Sequence, residues 1–265
     1  MKSIRTVVAV ALLTLTCLAG ASPSSAAPSS KLADVIAGPQ RTPSFKARDR
    51  YRHPLEGLEF FGVKPDMSVV EIWPSGGWWT EILAPYLRAQ GKYYAALQPP
   101  FRDAAFRVKI ASAPQYYDHV IVTEAGPPDH WQIAPSGSVD LVLTFRNVHN
   151  WLEAGDEKQM FAAMYRALKP GGVLGLVEHR ALPGTTRADW VKTGYVSEDF
   201  VIRLAREAGF RLAAKSEINA NPKDTKDYPK GVWTLPPTLE LGQKDRAKYL
   251  AIGESDRMTL KFVKP

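Results

Sequence analysis

The sequence predicts an α/β protein: a mainly parallel, doubly wound sheet of seven strands with an antiparallel C-terminal edge pair. Three observations carry this. From Ala47 onward, short β-branched runs alternate with longer helical patterns, the signature of parallel strands joined by covering helices. The last two strand patterns have no comparably strong helix pattern between them, as in an antiparallel edge pair. Most of the polar residues able to do chemistry fall at the carboxyl ends of three strands, where open sheets of this kind bind ligands.

The chain has 265 residues, enough to bury a core without metal or disulfide staples. Residues 1–26 stand outside that core. Lys2 and Arg5 precede an apolar run from Val7 to Ala19, and Ser24 and Ala26 take the −3 and −1 places of a cleavage site. This is the layout of a secretory signal peptide, so a periplasmic or secreted protein is expected. Cys17 is the only cysteine and leaves with the signal. The mature chain then has no thiol, which excludes thiol catalysis and suits an oxidising compartment. The signal holds two cations and no acid, so its loss takes the formal charge from +7 to +5. No basic run is interleaved with aromatic residues, and no nucleic-acid partner is expected. No later segment reaches about 18 apolar residues, so no membrane span is expected once the signal is cleaved.

The elements follow in order. Residues 27–46 are rich in Pro, Ser and Lys and read as a linker with a short helix near Leu32–Ile36; the domain occupies 47–265. Val69–Ile72 is a strand and Trp78–Arg88 a helix; Tyr93–Leu97 is a strand and Phe101–Ala111 a helix. Val120–Thr123 and Leu141–Thr144 are strands, Asp156–Leu168 a helix and Val173–Glu178 a strand. Ser197–Ala208 is a helix stopped by Gly209. Arg211–Ile218 and Met258–Val263 close the series. The stretch Ala220–Ser255 between them holds Pro222, Pro229, Pro236 and Pro237, and irregular connections of that length are usually functional.

The first strand runs out into Glu71-Ile72-Trp73-Pro74-Ser75-Gly76-Gly77, the fourth into Phe145-Arg146-Asn147-Val148-His149-Asn150-Trp151 and the fifth into Glu178-His179-Arg180. Gly76 and Gly77 let the backbone approach a ligand at a helix N-terminus. His149 and His179 end neighbouring strands and are candidate general bases. Glu178 is a candidate to orient His179 or to act itself, although adjacent strand residues point to opposite faces and need not share one pocket. Arg146 and Asn147 are candidates to hold a carboxylate or other polar substrate group. The spacing of His149, Glu178 and His179 is no recognised ligand motif, and no metal is expected. Trp78 and Trp79 offer stacking surfaces or helix-to-sheet packing. Glu217, Asn219, Asn221 and Asp224 are either a lid over the sheet edge or turn-forming residues.

Three stretches carry a resemblance. "VVEIWPSGGWWTEIL", "GSVDLVLTFRNVHNWL" and "ALKPGGVLGLVEH" resemble the first, fourth-strand and fifth-strand motifs of class I S-adenosylmethionine-dependent methyltransferases. With "GYVSE", "SEINANPKD", "GVWTLPP" and "ESDRMTLKFVKP", the chain is similar to a bacterial group of exported methyltransferases from about Ala47 to the end. The resemblance implies a Rossmann-like sheet, S-adenosylmethionine as cofactor and a small-molecule methyl acceptor. It also implies cofactor-binding roles for Glu71, Pro74, Ser75, Gly76, Gly77, Thr80 and Gln98. The chain departs from the family pattern in three places. Trp73 and Ser75 stand where glycines are usual, so Trp73 must pack away from the ligand or narrow the pocket. Gln98 stands in the stretch where the family has an acid for the ribose. The residues alone leave two alternatives open: a lyase, isomerase or hydrolase using His149, His179 and Glu178, or an envelope binding protein.

Overall fold

The computed structural model describes residues 30–99 and 104–265. The expected signal peptide, its cleavage site and Cys17 lie outside the described residues.

Seven strands form one sheet: β1 Ser68–Ile72, β2 Lys92–Leu97, β3 Val120–Glu124, β4 Val139–Phe145, β5 Leu168–His179, β6 Arg211–Ser216 and β7 Arg257–Val263. Their order is β3-β2-β1-β4-β5-β7-β6. The first five are parallel, and β7 runs antiparallel between β5 and β6. The chain winds outward from β1 to β3, then returns to lay β4 beside β1. That reversal makes the carboxyl ends of β1 and β4 the switch point where ligands bind.

The expected strands appear within two residues of their bounds, except that β5 begins at Leu168, inside the span expected as helix. Gly171 takes φ 76° and donates its N–H to the Lys264 carbonyl at 2.8 Å, so the Pro-Gly-Gly turn is drawn into the ladder. The central strand β1 is buried on both faces. Val70 and Ile72 join one core with Trp151, Phe161 and Leu174, while Val69 joins the other with Leu58, Ile82 and Leu141. This is period-two alternation with helices on each side. Edge strand β6 alternates between exposed and half-buried positions.

The flanking helices are α1 Ser30–Ala37, α2 Pro43–Lys46, α3 Asp49–Arg52, α4 Pro54–Phe61, α5 Thr80–Leu87, α6 Ala104–Ser112, α7 Pro114–Tyr117, α8 Val148–Ala154, α9 Glu157–Ala167, α10 Arg187–Thr193, α11 Glu198–Glu207 and α12 Arg246–Ile252. The described part of the stretch expected as a linker packs onto helices α4 and α5. Leu32 on α1 is buried in the second core, and Thr42 donates its N–H and hydroxyl to the buried carboxylate of Glu81 on α5, at 2.8 and 2.6 Å. Its polar composition hides the apolar residues Leu32, Val35 and Ile36 of α1, and a buried acid on α5 holds Thr42 in place. Among the described residues, no helix is long and apolar enough to cross a membrane.

Candidate active site

The loop after β1 sets the shape of the site. Trp73, Ser75 and Gly77 all have left-handed backbone, with φ of 49°, 52° and 78°. Only glycine adopts this at no steric cost; other residues lose roughly 1–2 kcal/mol each. Trp73 offsets that cost by anchoring its indole in the core, although the residue still borders two of the cavities at this loop. Its indole donates to the Ala125 carbonyl at 2.7 Å and meets Trp151 edge-on at 5.9 Å. Ser75 and Gly76 stay exposed at the tip, while Gly77 is buried behind it.

Glu71, at the end of β1, accepts hydrogen bonds from Thr80 at 3.2 Å and from the Tyr93 hydroxyl. Burial pushes its carboxyl up to about 7, partly opposed by the bonds from Tyr93 and Thr80. Thr80 is itself fully buried and positions Glu71.

Three cavities meet at Ser75. The first, about 300 Å³, is bounded by Pro74, Ser75, Gly76, Leu97, Gln98 and Asn150. The second, about 250 Å³, lies between Arg48, Arg52, Glu71, Ser75, Trp79 and Arg146. The third, about 150 Å³, is bounded by Ser75, Arg146, His149, His179, Trp233 and Ser255. Trp79 stacks on Phe145 with ring centroids 4.1 Å apart, and Trp78 donates to the Phe45 carbonyl at 3.0 Å. Both indoles are therefore anchored packing that also walls the second cavity.

Because β4 and β5 are neighbours, their ends bring His149 and His179 together, ring centroids 5.3 Å apart. Glu178 joins them, against the simple alternation of a strand, because its carboxylate turns toward the first turn of α8. One oxygen accepts from the N–H groups of Val148 and His149, at 2.6 and 3.3 Å. The other accepts from His149 Nδ1 at 3.0 Å and from the His179 N–H at 2.8 Å. A carboxylate only accepts, so Glu178 fixes Nδ1 of His149 as a donor, and in the neutral tautomer Nε2 is the acceptor. His179 Nδ1 sits 2.6 Å from the Ser255 hydroxyl. Burial, then the neighbouring His149 and arginines 146, 257 and 52, hold His179 well below the usual histidine range, so it is neutral. Donor atoms of His149, Glu178 and His179 all lie within 4.8 Å of one another.

Asn147 does not present its amide N–H groups to a ligand. It donates to the Ile72 carbonyl at 2.9 Å and to Thr144 Oγ1 at 3.2 Å, fastening the β4 end to β1. Arg146 takes left-handed backbone, φ 62°, and its guanidinium has no hydrogen-bond or ion-pair partner among the described residues. It walls both the second and third cavities. Burial lowers it to about 10, opposed chiefly by Glu254.

The late polar cluster anchors the covering segment rather than facing the site. Glu217 pairs with Arg180 at 2.6 Å, Asn219 donates to Thr259, Asn221 donates to the Ile252 and Glu254 carbonyls, and Asp224 accepts from Tyr195 and from the Asp256 N–H. The residues over the third cavity are Val232, Trp233, Pro236, Pro237 and Thr238, with Trp233 edge-on to His149 at 6.0 Å.

Sequence reasoning missed Arg48, Arg52, Glu254 and Arg257. Glu254 is buried and accepts from Arg48 Nε at 2.7 Å, Arg52 Nε at 3.3 Å and Arg257 Nη1 at 3.2 Å. Burial pushes Glu254 up, but Arg52, Arg257, Arg146 and Arg48 outweigh it and bring the carboxyl to about 2. The alternating arginines of Arg48-Asp49-Arg50-Tyr51-Arg52 and the Glu254-Ser255-Asp256-Arg257 run were the available signal.

In sequence, no family model and no curated protein matches the chain. Solved structures match its fold. An S-adenosylmethionine-dependent methyltransferase from Aquifex aeolicus superposes with TM-score 0.56 at 16% identity, covering 88% of this chain and 98% of its own. The arsenic(III) S-adenosylmethionine methyltransferase CrArsM from Chlamydomonas reinhardtii gives 0.53 at 16% identity, covering 90% and 74%. The cyclase SpnF gives 0.54 at 16% identity, covering 81% and 80%. The fold is that of the class I methyltransferases, a seven-stranded Rossmann-like sheet with an antiparallel edge pair.

Proposed function

We propose that the protein transfers a methyl group from S-adenosylmethionine to a small-molecule acceptor in the cell envelope. One observation carries this reading: His149, held by Glu178, lines a cavity that Ser75, at the tip of the loop after β1, also lines. The residues around that loop suit the cofactor. Gln98 stands at the end of β2 in the first cavity, Glu71 and three arginines wall the second, and the left-handed loop after β1 exposes Ser75 and Gly76.

S-adenosylmethionine, when bound, supplies an electrophilic methyl group. His149 Nε2 takes the proton that the acceptor gives up as it becomes a nucleophile, and the charge that forms on the imidazole faces the carboxylate of Glu178. Trp233, Pro236 and Pro237 line the same cavity and give the acceptor an apolar wall. Calorimetry with S-adenosylmethionine and S-adenosylhomocysteine tests the reading, and saturable binding of both is expected. Failure of both to bind the folded protein would overturn it.

A non-methylating lyase, isomerase or hydrolase on the same fold is the second reading. Gln98 in place of a ribose-binding acid favours it, and the cyclase SpnF shares the fold. Substrate turnover without either cofactor form bound would select it. An envelope binding protein is the third, and the Glu178–His149 pair argues against it.

Export belongs to the same proposal. N-terminal sequencing of protein from cells should find a start near Ala27, and an intact Met1 on cytoplasmic protein would overturn it.

A further inference from the structure

Four arginines gather around one buried acid. Arg48, Arg52 and Arg257 all pair with Glu254, and Arg146 is close enough to act on its charge. The accounting of donors does not close. Arg48 Nη2, Arg52 Nη2 and Arg257 Nε are buried with no acceptor, and Arg146, which feels the charges of Glu254 and Glu178, has no hydrogen bond or ion pair among the described residues. Buried donors without acceptors are costly, and like charges at this depth repel. After burial itself, Arg146 is the main influence lowering Arg52.

The surplus positive charge also decides what the neighbouring His149–Glu178–His179 group can hold. Its donor atoms are close enough for a cation. Yet both Glu178 oxygens already accept two hydrogen bonds each, and arginines 146, 257 and 52 oppose added positive charge there, as they oppose a proton on His179. The field favours an anion.

We propose that Arg146 binds an oxyanion of the acceptor, a carboxylate or phosphate, in the cavity that it shares with His149. The naming of that ligand as acceptor rests on the function proposed above; the oxyanion site itself does not. A guanidinium presents a planar fork of donors that matches either oxyanion in two parallel bonds. The left-handed backbone of Arg146 is held by its own N–H, which donates to the Val177 carbonyl at 2.7 Å, and the residue lines both cavities. A cavity of about 150 Å³ takes the anionic group and the reacting atom beside His149, and the rest of the acceptor lies under Trp233. Because Arg146 also walls the second cavity, the same chemistry has a second source, the carboxylate of the cofactor.

Calorimetry on the full mature chain separates these sources, with inorganic phosphate, malonate and benzoate as probes and benzamide as the neutral control. At least one oxyanion should bind saturably and benzamide should not. Arg146→Gln should weaken that binding about tenfold to a hundredfold, the worth of hydrogen bonds to a charged group. Arg146→Lys, which keeps the charge but not the fork, should fall between; it also serves if the Gln variant melts early. Exposed Arg166→Gln should change nothing. The titration is then repeated in saturating S-adenosylhomocysteine. Retained binding supports the acceptor site, whereas loss assigns the arginines to the cofactor carboxylate and overturns the proposal. Equal binding by wild type and both Arg146 variants, or no binding by any probe, overturns it too. If the oxyanion binds through Arg146 while neither cofactor form binds, the site stands and the methyl-transfer reading falls.

Discussion

Trp73 gives its indole N–H to the Ala125 carbonyl at 2.7 Å while its own backbone stays left-handed at φ 49°. The two facts pull in opposite directions. Trp73→Gly would relieve about 1–2 kcal/mol of backbone strain and remove a buried indole worth about 3–5 kcal/mol. A net loss of about 1–4 kcal/mol is expected, read from urea denaturation midpoints. A variant more stable than wild type would show that the indole is poorly packed.

Glu71 makes stability depend on pH. Its carboxyl titrates near 7 in the folded protein, against an ordinary 4.5. A raised value means that the native state holds the proton more tightly. The associated stability is present below about pH 4.5 and is lost as pH rises through about 7. The difference amounts to about 3 kcal/mol. Denaturation of wild type and Glu71→Gln at about pH 4 and about pH 8 should show wild type losing stability relative to the variant. Parallel pH profiles would place the Glu71 titration elsewhere.

His149→Ala should lower turnover roughly 10²–10⁴-fold, or about 3–5 kcal/mol of barrier. The fold should survive, because Glu178 keeps the N–H groups of Val148, residue 149 and His179. Melting curves run beside turnover distinguish a base from a structural histidine. Until an acceptor is in hand, loss of the ligand-induced rise in melting temperature reads the same effect. Wild-type melting and wild-type activity together would move the role to His179.

Gly77→Val should abolish binding of S-adenosylhomocysteine while circular dichroism of the sheet stays intact. Gly77 sits at φ 78°, and an added Cβ would lie 2.9 Å from Lys109 Cδ. A β-branched residue cannot hold that backbone without strain, so the exposed tip formed by Ser75 and Gly76 would shift. Binding that survives in the folded variant would place the pocket away from this loop.

The sheet was legible because its signals are local. β-branched runs mark strands, and the strand ends of β1, β4 and β5 carry Glu71, His149 and His179 in plain view. Three features were not. Neighbour alternation left open whether Glu178 and His179 share a pocket; the carboxylate, two bonds beyond Cβ, turns to backbone N–H groups of the α8 turn that no strand pattern reveals. The polar composition of residues 27–46 read as linker, although Leu32 and Thr42 are tied to α5 from 39 or more positions away in sequence. The Arg48–Glu254 pair joins residues 206 apart, a contact that no periodicity encodes.

Ser75 is a party wall. Because one small residue borders all three cavities, an occupant of any of them lies against the same serine. The chamber lined by Trp233 is the smallest of the three, at about 150 Å³. Enlarging the hydroxymethyl group at this position would evict tenants on every side at once, coupling affinities that loops on separate elements could have tuned one by one.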